Sequence, residues 1–267
     1  MCLLFPWGYD IINSTITMGG SALGQVLAVV SGKGGAGKTT LCAGIAACLA
    51  DEGKKVLLMD LDVGLRNLDL SLGLGDEAAI PFTAVMRGEY PLSRATAHPK
   101  IPGLSFLTAP VTETPESIDP AQFAALLTEV RRTYDFCLLD APAGIGPGFA
   151  LAARSADQAL VVCCGDPASL RDGARTAQLL DQFGLQEIRL VVNRIRRRFF
   201  RRTRATVDDI MDAVGLPLLG IVPEDEAVPL AAALGQPLTR YSRKGAALAC
   251  RHMALRLLGV RQPFVRI

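Results

Sequence analysis

The chain lacks any C-x-x-C pair, any long apolar run, any histidine cluster and any marked excess of one charge. Its seven cysteines (Cys2, Cys42, Cys48, Cys137, Cys163, Cys164 and Cys250) are odd in number, and most sit inside apolar runs. That pattern predicts buried free thiols in a reducing, cytoplasmic compartment and argues against a disulfide framework. The two histidines, His98 and His252, are far apart and have no ligand-spaced neighbours, which argues against a zinc site or a histidine-based nucleophile. Lys and Arg number 28 against 26 for Asp and Glu, so any nucleic-acid surface must be a local patch. No stretch approaches the roughly 20 apolar residues that span a bilayer. Met1 to Thr17 is apolar, but Pro6 and Asp10 interrupt it and no Lys or Arg precedes Lys33. A secretory signal needs a basic start, so residues 1–24 read as a loose N-terminal extension, with Met18 as an alternative first residue.

What the chain does have is short apolar runs alternating with helical segments. Gln25 to Ser31, Val56 to Asp60, Leu104 to Thr108, Phe136 to Asp140, Ala159 to Cys164, Ile188 to Asn193 and Leu218 to Val222 read as strands. Helices are predicted for Thr39 to Glu52, from Asp119-Pro120, after Asp166-Pro167, for Thr206 to Val214, near Ala227 to Leu234 and for Lys244 to Leu258. The strands show almost no polar alternation, as expected when helices cover both faces of a sheet. The expectation is an α/β, doubly wound, mostly parallel sheet forming one domain over 25–267, with right-handed crossovers. Ligands of such sheets sit beyond the carboxyl ends of the strands. The loops after Ser31, Asp60, Asp140, Asn193 and Val222 should therefore share one edge.

Gly32-Lys33-Gly34-Gly35-Ala36-Gly37-Lys38-Thr39 fits G-x-x-x-x-G-K-[ST], between a strand and a helix. The glycines let backbone N–H groups turn inward around phosphates, and the following helix adds its N-terminal partial charge. Lys38 then reaches the β- and γ-phosphates, Thr39 binds Mg2+, and Thr40 adds a phosphate contact, so ATP with Mg2+ is the expected ligand. Asp60 and Asp62 follow the second strand, where a carboxylate can orient the attacking water or hold a metal-bound water. Leu138-Leu139-Asp140 is an apolar strand closing on an acid, suited to accepting from a water on Mg2+. The plainer alternatives are an exposed loop lysine at Lys33 and a strand-end cap at Asp140.

The string K-G-G-x-G-K-T-T from Lys33 to Thr40 resembles the deviant Walker A loop of the MinD/ParA family of P-loop ATPases, a SIMIBI-like P-loop NTPase fold. The run from Asp60 to Asp69, Pro142-Ala-Gly-Ile145 and Ile221-Val-Pro-Glu-Asp225 are similar to the switch segments and strand ends of MinD-type cell-division ATPases. The resemblance extends from Gln25 to Leu258. It implies a slow ATPase that dimerises on ATP, responds to a protein partner that stimulates hydrolysis, and helps to position the septum. It also implies that Lys33 crosses to the partner's nucleotide, that Asp62 serves the water and Asp60 the metal site, and that Asn193, Arg194, Pro223 and Glu224 read the base. The location implied is cytoplasmic and peripheral at the inner face of the membrane.

Two features qualify that picture. Arg194 to Arg204 holds seven arginines interleaved with Ile195, Phe199 and Phe200, a composition that attracts anionic lipid or DNA. It also fits a solvated connection whose phenylalanines cap the core. The family ends in a basic amphipathic helix. Here Pro263 interrupts the residues after Leu258, and Arg261, Phe264, Val265, Arg266 and Ile267 make a poor anchor. The competing reading is a DNA-associated partition ATPase or a flagellar-number regulator on the same core. An iron–sulfur carrier is disfavoured by the cysteine spacing.

Overall fold

Gln25–Val30, apolar from Val26 onward, form the strand β1 at the middle of one eight-stranded sheet. The computed structural model describes residues 23–64, 67–75, 79–196, 198, 202–203 and 205–265. Within them β2 (Val56–Asp60), β3 (Thr96–Ala97), β4 (Leu104–Leu107), β5 (Phe136–Asp140), β6 (Gln158–Cys164), β7 (Glu187–Ile195) and β8 (Leu218–Pro223) complete the sheet. The strand order is β3-β4-β2-β5-β1-β6-β7-β8, and every pairing is parallel except β3 with β4. The chain leaves β1 toward β2 on one side and later fills β6 to β8 on the other, so the order reverses at β1. The loop after β1 therefore stands at the switch point where ligands of open α/β sheets bind.

The α-helices whose bounds lie within the described residues are α1 (Lys38–Asp51), α2 (Leu68–Leu72), α3 (Phe82–Met86), α4 (Pro120–Thr133), α5 (Pro147–Ser155), α6 (Pro167–Gln182), α7 (Val207–Val214), α8 (Ala227–Ala233), α9 (Leu238–Tyr241) and α10 (Gly245–Leu257). Two cores result. Leu27, Val29, Leu58 and Leu138 meet α1 and α10 on one face, while Val26, Ala28, Leu57 and Leu139 meet α4 to α7 on the other. Each fully buried Leu or Ile side chain contributes about 1.5–3 kcal/mol, so both faces are needed to hold the sheet. Small residues let α1 approach closely: a Cβ on Gly44 would stand 2.7 Å from Cys250 Sγ of α10.

The helix starts follow their sequence signals. Asp119 accepts from Ala121 N at 2.9 Å, Asp166 from Ser169 N at 3.0 Å, and Thr206 with Asp209 makes a reciprocal capping box. Gly53, at φ 80, ends α1 in the left-handed conformation. Five elements differ from the sequence reading. The short α2, α3 and α9, the hairpin strand β3, and α5, which starts among three closely spaced glycines, had no periodicity long enough to predict them. The cysteines behave as expected: Cys42, Cys48, Cys137, Cys163 and Cys250 are buried and free, and Cys164 is half-buried. After α10, residues 259–265 form no helix; Arg256 sits 4.0 Å from the Phe264 ring and donates to Gln262 O. Residues 1–22 of the extension expected over 1–24, and Arg197, Phe199, Phe200, Arg201, Arg204, Arg266 and Ile267, lie outside the described residues.

Candidate nucleotide site

Parallel pairing puts the carboxyl ends of β1, β2, β5, β7 and β8 on one edge, as the sequence predicts. The loop from Gly32 to Gly37 crosses that edge and enters α1 at Lys38. Gly35 and Gly37 take φ of 76 and 90, and the ideal Cβ position of Gly35 meets nothing within 4 Å, so this stretch of backbone is open. Gly32 and Gly37 are glycine for the opposite reason. A Cβ at Gly32 would lie 2.5 Å from Asp172 Cβ, and one at Gly37 would lie 2.3 Å from Asn193 Nδ2. The loop is thus pressed between the start of α6 and the end of β7, with its remaining face turned to a cavity of about 1020 Å³.

Lys38 is 8% exposed and lines that cavity. Its ammonium donates to Ser31 Oγ at 2.9 Å, and Ser31 in turn donates to Lys33 O at 2.7 Å. Burial lowers the Lys38 pKa, while Asp140 and Asp62 hold it up. A cation partly stripped of water beside two carboxylates is poised for an anionic ligand. Thr39, Thr40, Gly34 and Asp62 line the same space. Ala36 is buried, and its carbonyl accepts from Asn193 Nδ2 at 2.7 Å.

The three carboxylates differ. Asp60 and Asp140 are side by side in register on β2 and β5, both nearly fully buried. Burial pushes Asp140 up to about 7, against a hydrogen bond from Thr39. It pushes Asp60 up to about 6, against backbone hydrogen bonds. Asp60 accepts from Asp62 N at 2.8 Å and from Leu68 N at 3.4 Å, so it also fastens the segment between β2 and α2. Asp62 is half-buried with its pKa raised by burial and opposed by Lys38, and it faces the cavity.

The residues present suit Mg2+. Asp140 Oδ1 is buried without a hydrogen-bond partner, an expensive state for an acceptor unless something positive comes to it. Among the described residues no group of three or more His, Cys, Asp or Glu is placed to hold a metal by itself. A hard cation bound by the Thr39 hydroxyl, waters ordered by Asp140 and Asp60, and ligand phosphates fits this donor set, because Mg2+ keeps several waters and few protein ligands. Mg2+ bound there would neutralise charge on the phosphates.

Asn193 and Arg194 of β7 and Pro223 and Glu224 of β8 also line the cavity. The structure brings all four predicted base-recognition residues to it. Lys33 is placed differently from Lys38. It is half exposed, outside the cradle, and pairs with Asp166 of its own chain at 3.3 Å. Ser31 and Asp166 carry no motif of their own, although Asp166 follows a strand on the ligand edge and opens a helix, a signal that could have marked it.

The family model described as the CobQ/CobB/MinD/ParA nucleotide binding domain matches residues 27–238. The septum site-determining protein MinD of Synechocystis is 36% identical over 248 residues, covering 91% of this chain and 92% of the relative. The chain belongs to the MinD/ParA family. Among solved structures, that of MinD from the Aquifex aeolicus MinC:MinD complex superposes with a TM-score of 0.84 at 34% identity, covering 91% of this chain and 98% of that one. The Pyrococcus horikoshii MinD complexed with Mg-ADP gives a TM-score of 0.76 at 28% identity, covering 88% and 96%. As a member of this family the chain is an ATPase that uses ATP and Mg2+, on a P-loop fold of helices packed about a mostly parallel sheet. No helix of the described residues is long and apolar enough to cross a membrane.

Proposed function

We propose that this ATPase is a MinD-like spatial regulator of cell division that works as a nucleotide-switched dimer. The placement of its two loop lysines carries the reading. Lys38 is buried in its own cradle, where it can bind phosphates in any state. Lys33 is half exposed and, among the described residues, its ammonium pairs with the half-exposed Asp166, a contact it can exchange to serve a site other than its own. Two subunits meeting across the loop edge would each lend Lys33 to the other's phosphates, as an arginine finger does, with Asp62 orienting the water. The relative solved in a MinC:MinD complex supports a protein partner for this chain too. The surface addressed by the ATP form is an anionic membrane face, supported by the arginine-rich stretch from Arg194 to Arg204, in which Arg198 and Arg202 are exposed. A DNA surface is the alternative for the same arginines, and sedimentation with liposomes or DNA, each with ATP or ADP, separates the two.

Mixing two inactive variants tests the dimer. Lys33→Ala removes the donated ammonium, and Asp62→Ala removes the water-orienting carboxylate. In a mixed dimer one site keeps its own Asp62 and receives the other subunit's Lys33. Turnover should therefore return on mixing; if Lys33 acts within its own subunit, the mixture stays inactive.

A further inference from the structure

The pairing of β7 with β8 slips between Val192 and Ile195, so Asn193 and Arg194 form a bulge without ladder partners on β8. A bulge re-aims side chains, and this one sends two in different directions. Asn193 turns inward to the Ala36 carbonyl, and its own Oδ1 accepts the Arg194 N–H at 2.9 Å. Arg194 turns along the cavity rim. Its backbone lies at φ 56, and it is the only non-glycine residue among the described ones with positive φ. A long side chain is costly at such an angle, where Gly or Asn would be relaxed, so the guanidinium has a use that outweighs the strain.

Its contacts show what that use is. Arg194 Nη1 donates to Gly35 O on the phosphate loop at 3.3 Å, and Nη2 donates to Glu224 Oε1 at the end of β8, also at 3.3 Å. Arg196 donates to the other Glu224 oxygen, so the carboxylate is held from both sides, and the two arginines pull its pKa down to about 2. Gly35 and Glu224 both line the cavity beside the phosphate loop. A planar guanidinium with donors pointing two ways is suited to spanning them.

We propose that Arg194 is a strap across the mouth of the nucleotide cavity, anchored on Glu224, and that its opening sets how fast nucleotide enters and leaves. The proposal rests on the reading of this cavity as the nucleotide site, and it assigns Arg194 and Glu224 to the strap in place of the base-reading role that the resemblance implies. Arg194 is 54% exposed, so its ion pair is weak and breaks readily. The strap consequently acts on rates more than on affinity. A strap that must open for both passages slows them equally, whereas a residue that merely grips bound nucleotide slows departure alone.

Stopped-flow binding of a fluorescent ADP analogue with Mg2+ separates these. Arg194→Gly removes the guanidinium and relaxes the backbone; Glu224→Gln keeps the backbone and weakens the anchor. Both should raise the association and dissociation rates together by about fivefold, the size expected for losing an exposed charged contact, with Kd changed less than about twofold. Unchanged rates in both variants, or a weakened Kd with an unchanged association rate, would overturn the strap. Lys38→Ala, run alongside, tests the site itself: if the analogue binds that variant as well as it binds the wild type, the cavity assignment has failed, not the strap.

Discussion

Asn193 Nδ2 and the Ala36 carbonyl, 157 residues apart in sequence, meet at 2.7 Å inside the protein, so the end of β7 holds the phosphate loop in place. The same nitrogen stands 2.3 Å from where a Cβ on Gly37 would lie. Gly37→Ala should therefore displace either the loop or Asn193, the more so because φ is 90 there. Nucleotide affinity is expected to fall at least tenfold, or about 1.4 kcal/mol, while circular dichroism shows an unchanged fold. Wild-type affinity in a folded Gly37→Ala protein would contradict this clamp.

Lys38→Ala removes the buried ammonium between the carboxylates and the phosphate positions. Calorimetry should show ATP binding lost. Retained micromolar affinity would place the nucleotide elsewhere.

Asp62→Ala is expected to separate binding from turnover. Asp62 lines the cavity but is not needed to fasten the segment before α2, a task carried by Asp60. ATP affinity should remain within a few-fold of wild type, while turnover falls by about 10²-fold or more, the usual size of a general acid–base contribution. Equal loss of both would mean that Asp62 shapes the pocket and does not serve the water.

The pH dependence has a definite sign. Asp140 titrates at about 7 and Asp60 at about 6 in the folded chain, both raised by burial. Unfolded Asp titrates at about 3.9, so between about pH 4 and pH 7 the folded state holds more protons, and stability falls as pH rises through that window. In metal-free urea titrations the wild-type midpoint should drop across this range more steeply than that of Asp140→Asn. Parallel slopes would mean that Asp140 is not perturbed. Added Mg2+ should flatten the wild-type slope, since a cation favours the ionised carboxylate.

Gly44 and Cys250 give a test of the core. Gly44→Ala brings a methyl to 2.7 Å from Cys250 Sγ and should cost about 1–3 kcal/mol by overpacking. Cys250→Ala combined with it should recover most of that loss. Simple additivity in the double-mutant cycle would show that the two helices adjust independently.

How much of this was readable in advance depends on how local each signal is. The long parallel strands, the caps at Asp119, Asp166 and Thr206, and the phosphate loop all announce themselves within a few residues, because capping and glycine geometry act at short range. Thr96–Ala97 is a two-residue strand, too short for any pattern, and it exists only because Leu104–Leu107 offers an edge. α5 was hidden behind Gly144, Gly146 and Gly148, which read as loop until Gly148 is seen to give Pro142 room. The site residues were found by motif, but their partners were not. Lys33 with Asp166 and Arg194 with Gly35 join positions more than a hundred residues apart, and nothing in a linear pattern encodes which wall a guanidinium will cross to.

The parallel sheet also fixes where foreign additions do least harm. The chain enters β1 at the amino ends of the strands, where Gly24 N donates to Arg131 O at the close of α4, and the residues lining the nucleotide cavity are at the opposite rim. A fluorescent reporter joined ahead of Gln25 should thus leave the ATP-facing side unobstructed for a second molecule. The same reporter grafted at the Pro142 to Gly146 turn, where Gly144 N donates to Ser31 O, would sit beside the phosphate loop and obstruct the face on which the proposed dimer depends.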